Sequence, residues 1–207
     1  MKYALAMVTA IALSLSAAQA HSLKDLEDSL IQRERYVEFV ERPAPPFTLM
    51  DAKGRALSLS DFKGRVVVLN FIYTHCPDVC PLHSALIGSL QADINRTPMR
   101  DMVQFISITT DPERDTPEVM RDYGIRLGLD RANWSFLTSG GGDLTATRTV
   151  AGEYGLKFTT GEGGYQLHGV VTHVIDKSGV LRARFHGLKL DPLNIILFIN
   201  ALTNDSH

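Results

Sequence analysis

The chain has 207 residues, with 21 Lys and Arg against 23 Asp and Glu, a formal net charge of -2 and 44% hydrophobic residues. That length suits one domain of ordinary size, burying roughly 70% of the surface its unfolded chain exposes. Near-balanced charge without a basic run argues against a nucleic-acid-binding surface, the hydrophobic content against a disordered chain, and two cysteines against a disulfide scaffold or a four-Cys zinc site.

Residues Met1–Ala20 have the pattern of a secretory leader. Lys2 supplies a short positive region, Tyr3–Leu15 is apolar and uncharged, and Ala18-Gln19-Ala20 is the small-x-small pattern that signal peptidase accepts. Cleavage after Ala20 would leave a chain starting at His21 in the bacterial periplasm, with no membrane span, where thiols tend to oxidise. The alternative is an uncleaved anchor that holds the domain at the membrane, facing the periplasm. The expected organisation is a leader over 1–20, a lead-in and linker over 21–46, and one domain over 47–207.

In the lead-in, Leu23, Leu26 and Leu30 recur at helical spacing, and Val37 and Phe39 then alternate. Pro43-Ala44-Pro45-Pro46 reads as a stiff linker. Phe47–Met50 suggests a strand, and Val66–Tyr73 is β-branched and nearly all apolar, as a strand buried on both faces requires. Leu82, Leu86, Leu90 and Ile94 predict a helix beginning near Pro81. Val103–Thr109 predicts a second buried strand. Thr116 then caps a helix that opens on Pro117 and runs toward Gly124 or Gly128. Trp134–Leu137 suggests a strand, Asp143 the cap of a helix toward Tyr154, and Asp176–Gly179 the turn of a hairpin between Val170–Ile175 and Val180–Phe185. Asp191 and Pro192 open a last helix through Ala201. Alternating strands and helices predict an α/β fold with helices packed on a central sheet.

The chemistry concentrates in Cys76-Pro77-Asp78-Val79-Cys80, at the handover from the central strand to a helix, where sites form in open α/β sheets. A helix N-terminus favours thiolate over thiol. The pair therefore suits metal capture or redox exchange. A purely stabilising disulfide would close a very small loop and contribute little. Thioredoxin-type oxidoreductases place two residues between their cysteines and a proline opposite them. This chain has three between, and no proline from 118 to 191. Two thiolates with one imidazole suit copper.

Seven histidines compete for the third position. His21 and His207 lie near the ends, His75 should point away from its neighbour Cys76, and His186 reads as surface. His83 is placed to swing toward the site from the helix start. His173 sits inside a strand, where a structural histidine is the usual outcome. His168, between Gly164 and Gly169, is the favoured ligand. Asp78 and Asp111 are either outer partners of the site or ordinary turn residues.

The run Tyr73-Thr74-His75-Cys76-Pro77-Asp78-Val79-Cys80-Pro81, the block Asp111-Pro112-Glu113-Arg114-Asp115-Thr116-Pro117 and the position of His168 resemble the Sco (SenC) family of copper-binding proteins. The resemblance spans roughly Pro46 to Leu202. It implies a thioredoxin-like fold, with a central mixed sheet flanked by helices, in which Cys76, Cys80 and His168 bind one copper ion as Cu(I) or Cu(II). It also implies delivery of copper, or of reducing equivalents, to the dinuclear copper site of cytochrome c oxidase, with an upstream copper donor as a further partner. The main expectation is a metal-binding and transfer protein. The alternatives are a thiol-disulfide oxidoreductase acting through Cys76 and Cys80 on a copper-site target, and a copper or redox sensor.

Overall fold

The computed structural model describes residues 22–160, 166–167 and 169–205. The expected leader, His21, His168 and His207 lie outside the described residues. The elements in chain order are α1 (Leu23–Arg33), β1 (Val37–Pro43), β2 (Thr48–Asp51), β3 (Ala56–Ser58), β4 (Val66–Ile72), α2 (Val79–Asn95), β5 (Val103–Thr109), α3 (Pro117–Arg126), β6 (Trp134–Thr138), α4 (Ala146–Glu153), β7 (Thr159–Thr160), β8 (Gln166–Leu167), β9 (Val171–Ile175), β10 (Val180–His186) and α5 (Pro192–Asn204).

Eight strands form one mixed sheet in the order β1-β10-β9-β4-β5-β6-β2-β3. β4, β5 and β6 run parallel, joined through α2 and α3, while β9 and β2 flank them antiparallel. Every residue of β4 and β5 is buried, as their mostly apolar and β-branched runs lead one to expect, with Asn70, Gln104 and Ser107 as buried polar exceptions. One face packs Val66, Val68, Val103 and Phe105 in a cluster with Ile87, Leu90 and Ile94 of α2 and with Phe198 and Ile199 of α5. The other face packs Val67, Leu69, Phe71, Ile106 and Ile108 with Val150, Ala151 and Tyr154 around α4.

Caps and turns fall largely where their chemistry points. Thr116 accepts from Val119 N–H ahead of Pro117, and Asp191 accepts from Leu193 N–H ahead of Pro192. The β9–β10 hairpin turns through Asp176–Gly179, with Gly179 at φ 91, a conformation only glycine adopts without strain.

Three expectations are corrected. The lead-in contributes more than a linker, because β1 pairs with β10 and completes one edge of the sheet. Its polar, alternating residues suit an edge strand that has one face toward water. Asp143 does not cap α4 directly. Its carboxylate accepts from Thr145 N–H and Oγ, and the helix starts at Ala146. The apolar stripe expected on α2 holds at Leu90 and Ile94, which are buried, and at Leu86, which packs against the core, but fails at Leu82. The buried face of α2 is Cys80, His83, Ser84, Ile87, Leu90, Gln91 and Ile94, whereas Leu82 is 56% exposed. Cys80, His83 and Ser84, none of them part of that stripe, take the helix's first buried turns.

Candidate metal centre

β4 ends at Ile72 among the buried residues of the sheet, and the chain turns through 73–78 before α2 begins. Cys76 N–H donates to Tyr73 O at 3.2 Å and closes the turn. Asp78 stands at the N-cap of α2 but makes no side-chain cap bond. The sulfur of Cys76 takes that place, accepting from Cys80 N–H at 3.3 Å and from the N–H of Asp78. A helix leaves its first N–H groups unsatisfied, and here a thiol answers them. The four-residue step from Cys76 to Cys80 is what brings the sulfur over the first turn.

Both residues are free thiols and both are buried, Cys76 6% and Cys80 3% exposed. They hydrogen-bond to each other and differ in character. Burial raises the Cys76 thiol, but the Asp78 N–H, the Cys80 thiol and N–H, and the Tyr73 side chain together outweigh it and hold it below the ordinary thiol value. Burial pushes the Cys80 thiol well up, and the charges of Cys76 and Asp115 push it further. Cys76 is therefore the more readily ionised sulfur, and Cys80 the one that holds its proton.

Beneath the turn lies a group that the motif reading left unassigned. Asp115 is fully buried, and its carboxylate accepts from Thr74 N–H at 3.1 Å, from Thr74 Oγ at 2.5 Å and from Thr109 Oγ at 2.5 Å. It pins the start of the thiol turn to the end of β5. The sequence marked it only as a member of the block 111–117 that carried the family resemblance. Tyr123 of α3 closes the site from the side. It donates to Ser84 Oγ at 3.0 Å, and burial, with Cys80, Cys76 and Asp115 nearby, pushes its phenol up to about 12.

The remaining candidates separate cleanly. His83 is buried with Nε2 2.9 Å from Thr172 Oγ on β9, so it is committed to the sheet rather than free to swing. Thr172 and its neighbour His173 point to opposite faces. His173 packs edge-on against Phe71 and Tyr154, on the face away from α2, with Nε2 3.3 Å from Tyr154 O. Burial pushes its imidazole down to about 3, so it is a neutral core residue. His186 is surface-exposed and pairs with Glu38. His75 is exposed, as expected, and Cys76 beside it is buried. Asp111 pairs with Arg114 and its carbonyl accepts from the N–H groups of Arg114 and Asp115, as a turn residue does, and Asp78 is exposed. Among the described residues no three His, Cys, Asp or Glu side chains gather as a metal-binding group. Two adjacent sulfur donors, one already polarised, are nevertheless a donor set that soft Cu(I) fits.

The SCO1/SenC family model matches residues 38–203, the sheet, the thiol turn and α5 together. The chain belongs to the SCO1/SenC family. A relative from Stutzerimonas stutzeri, named provisionally as a copper-binding protein, is 33% identical over 166 residues, 76% of each chain. The solved structure of BsSco, described as a member of the Sco family of cytochrome c oxidase assembly proteins, superposes with TM-score 0.71 at 25% identity, covering 81% of this chain and 96% of that one. ScoI of Bradyrhizobium japonicum, solved with copper bound, superposes with TM-score 0.63 at 29% identity over 77% and 99%. The fold of this SCO1/SenC protein is accordingly thioredoxin-like, a mixed sheet with flanking helices.

Proposed function

We propose that this protein is a periplasmic copper-transfer protein, exported by its 1–20 leader. It holds one copper ion through Cys76, Cys80 and His168 for assembly of the dinuclear copper site of cytochrome c oxidase. One observation carries the reading: two buried sulfurs in mutual contact at the N-terminus of α2, one of them held below the ordinary thiol value. The copper bound in ScoI and the oxidase-assembly description of BsSco support the cargo and the destination.

The chain's own residues do the following. The N–H groups of Asp78 and Cys80 stabilise negative charge on the Cys76 sulfur, and Tyr73 supports it. Cys80 stays protonated until metal displaces its proton, so loading releases protons and is favoured as pH rises. Asp115 fixes the turn from which the first sulfur is presented.

Titration of the reduced protein with copper tests the reading. One copper per chain is expected, tight binding is lost in Cys76→Ala and in Cys80→Ala, and His168→Ala weakens Cu(II) more than Cu(I). Loss of Cu(II) affinity in His173→Ala with full retention in His168→Ala would refute the ligand set. N-terminal sequencing of the native protein should begin at His21; recovery in the membrane fraction with 1–20 intact would support the anchored form instead.

The asymmetry of the two thiols also favours a second reading, reduction of an oxidised target by Cys76 attack and Cys80 resolution. The two are separated by offering loaded protein to an acceptor whose thiols are already reduced. Stoichiometric metal transfer supports delivery, whereas metal-free turnover on the oxidised acceptor with a thiol donor supports the reductase.

A further inference from the structure

We infer that His75 is a rim ligand for copper, oriented by Asp115 through Thr74, and that the ion passes over it on its way to and from the Cys76–Cys80 pair. The inference rests on the copper-transfer reading above and adds a residue to it.

The hydrogen-bond inventory of the turn fixes the argument. Asp115 is fully buried and accepts three hydrogen bonds, two of them from Thr74. A threonine hydroxyl has one proton, and that of Thr74 is committed to the carboxylate. The contact of 3.1 Å between Thr74 Oγ and His75 Nδ1 must then have the ring as donor. The neutral imidazole therefore holds its proton on Nδ1 and its lone pair on Nε2. The carboxylate itself stands 3.7 Å from Nδ1, which favours the same arrangement. Among the described residues Nε2 has no hydrogen-bond partner, and the side chain is 51% exposed.

Metal-ligating histidines are commonly arranged in this way, with the second nitrogen donating toward a carboxylate or its relay so that ring and tautomer are fixed. The carboxylate that holds the turn through Thr74 thus also sets the orientation of the exposed ring. The need for an exposed donor at this site follows from the burial of the two cysteines, 6% and 3% exposed as residues, which leaves an ion arriving from a partner little of either to meet. His75 precedes Cys76 in the chain and supplies the exposed donor. In loading, a bond from Nε2 to copper forms as a partner's ligand leaves. Bonds to the two sulfurs then form, the bond to Nε2 breaks, and the thiol protons go to solvent. The copper keeps its oxidation state throughout, and release is the reverse.

Two measurements test this. In the reduced, metal-free, ¹⁵N-labelled chain, well above the ordinary imidazole pKa, long-range nitrogen–proton spectra should show His75 protonated on Nδ1, and Thr74→Val should abolish that preference. In stopped flow, His75→Ala should slow both loading with Cu(I) and its removal by bathocuproine disulfonate by about tenfold, the lower end of what loss of an oriented metal contact costs. A wild-type His75 protonated on Nε2, or unchanged rates in His75→Ala, would overturn the inference while leaving the copper site intact. A wild-type chain that binds no copper would instead defeat the proposed function, and this inference with it.

Discussion

Cys76 and Cys80 share an element, a hydrophobic cluster and a hydrogen bond, yet their environments push them in opposite directions. The difference is one of donors: Cys76 receives N–H groups from the helix start, whereas Cys80 lies deeper among Ile72, Met120 and Tyr123 and faces the charge of Asp115. Alkylation by iodoacetamide across pH should expose this. In Cys80→Ser, Cys76 should react with a midpoint below the ordinary thiol value; in Cys76→Ser, Cys80 should stay unreactive well into the alkaline range. Equal midpoints would show that the helix start does not polarise Cys76. Asp115 admits a second test at this scale. Asp115→Ala strands Thr74 N–H and two hydroxyls in a buried place, and loss of charge-assisted hydrogen bonds of this kind costs about 2–3 kcal/mol. Urea unfolding should show a loss of that size, and a change below about 0.5 kcal/mol, the level of an ordinary surface substitution, would mean the carboxylate is not holding the turn.

The helix that carries Cys80 decides the site's geometry, and its register is set by what it buries. Positions 80, 83, 84, 87, 91 and 94 meet the sheet and α3, so the thiol and the imidazole of His83 occupy places that an apolar side chain would ordinarily fill. Ile87→Ala should therefore destabilise by about 2–5 kcal/mol, the range for deleting a buried aliphatic side chain. Leu82→Ala, at a more exposed position two residues past Cys80, should stay within about 0.5 kcal/mol. Denaturant midpoints at constant slope measure both. A large loss at Leu82 would mean that the first turn of the helix also buries that position.

At the scale of the whole molecule, the sheet separates two cores, and His173 sits in the one remote from α2. Its folded-state imidazole titrates near 3, whereas the ordinary value is 6.5. Between those values the unfolded chain binds a proton that the folded chain refuses. Stability conferred by the neutral ring is thus complete above 6.5 and is lost as pH falls toward 3, at about 1.4 kcal/mol per pH unit. His173→Phe, placed against Phe71 and Tyr154, should flatten the acid limb of the stability curve by close to one proton. An unchanged slope would mean that other groups govern acid unfolding.

Local chemistry was sufficient for much of this molecule. Runs dominated by β-branched and other apolar residues are best satisfied between two covered faces, so β4 and β5 were legible from residues 66–72 and 103–109 alone. Thr116-Pro117 and Asp191-Pro192 announced helix starts because capping is a matter of neighbouring atoms, and the two cysteines at a strand-to-helix turn marked the site for the same reason. Contacts between distant segments were not legible. Nothing near Val37–Pro43 says that it pairs with β10, since an edge strand's partner is chosen by the whole sheet. The leucine spacing on α2 placed Leu86, Leu90 and Ile94 toward the core but did not show the burial of 83 and 84, whose partners Thr172 and Tyr123 are remote in sequence. Asp115 became part of the thiol turn only when β5 ran parallel beside β4 and brought residue 115 under residue 74. Sequence periodicity carries the short-range preferences of the chain, whereas burial of a polar group depends on a partner that only the tertiary fold supplies.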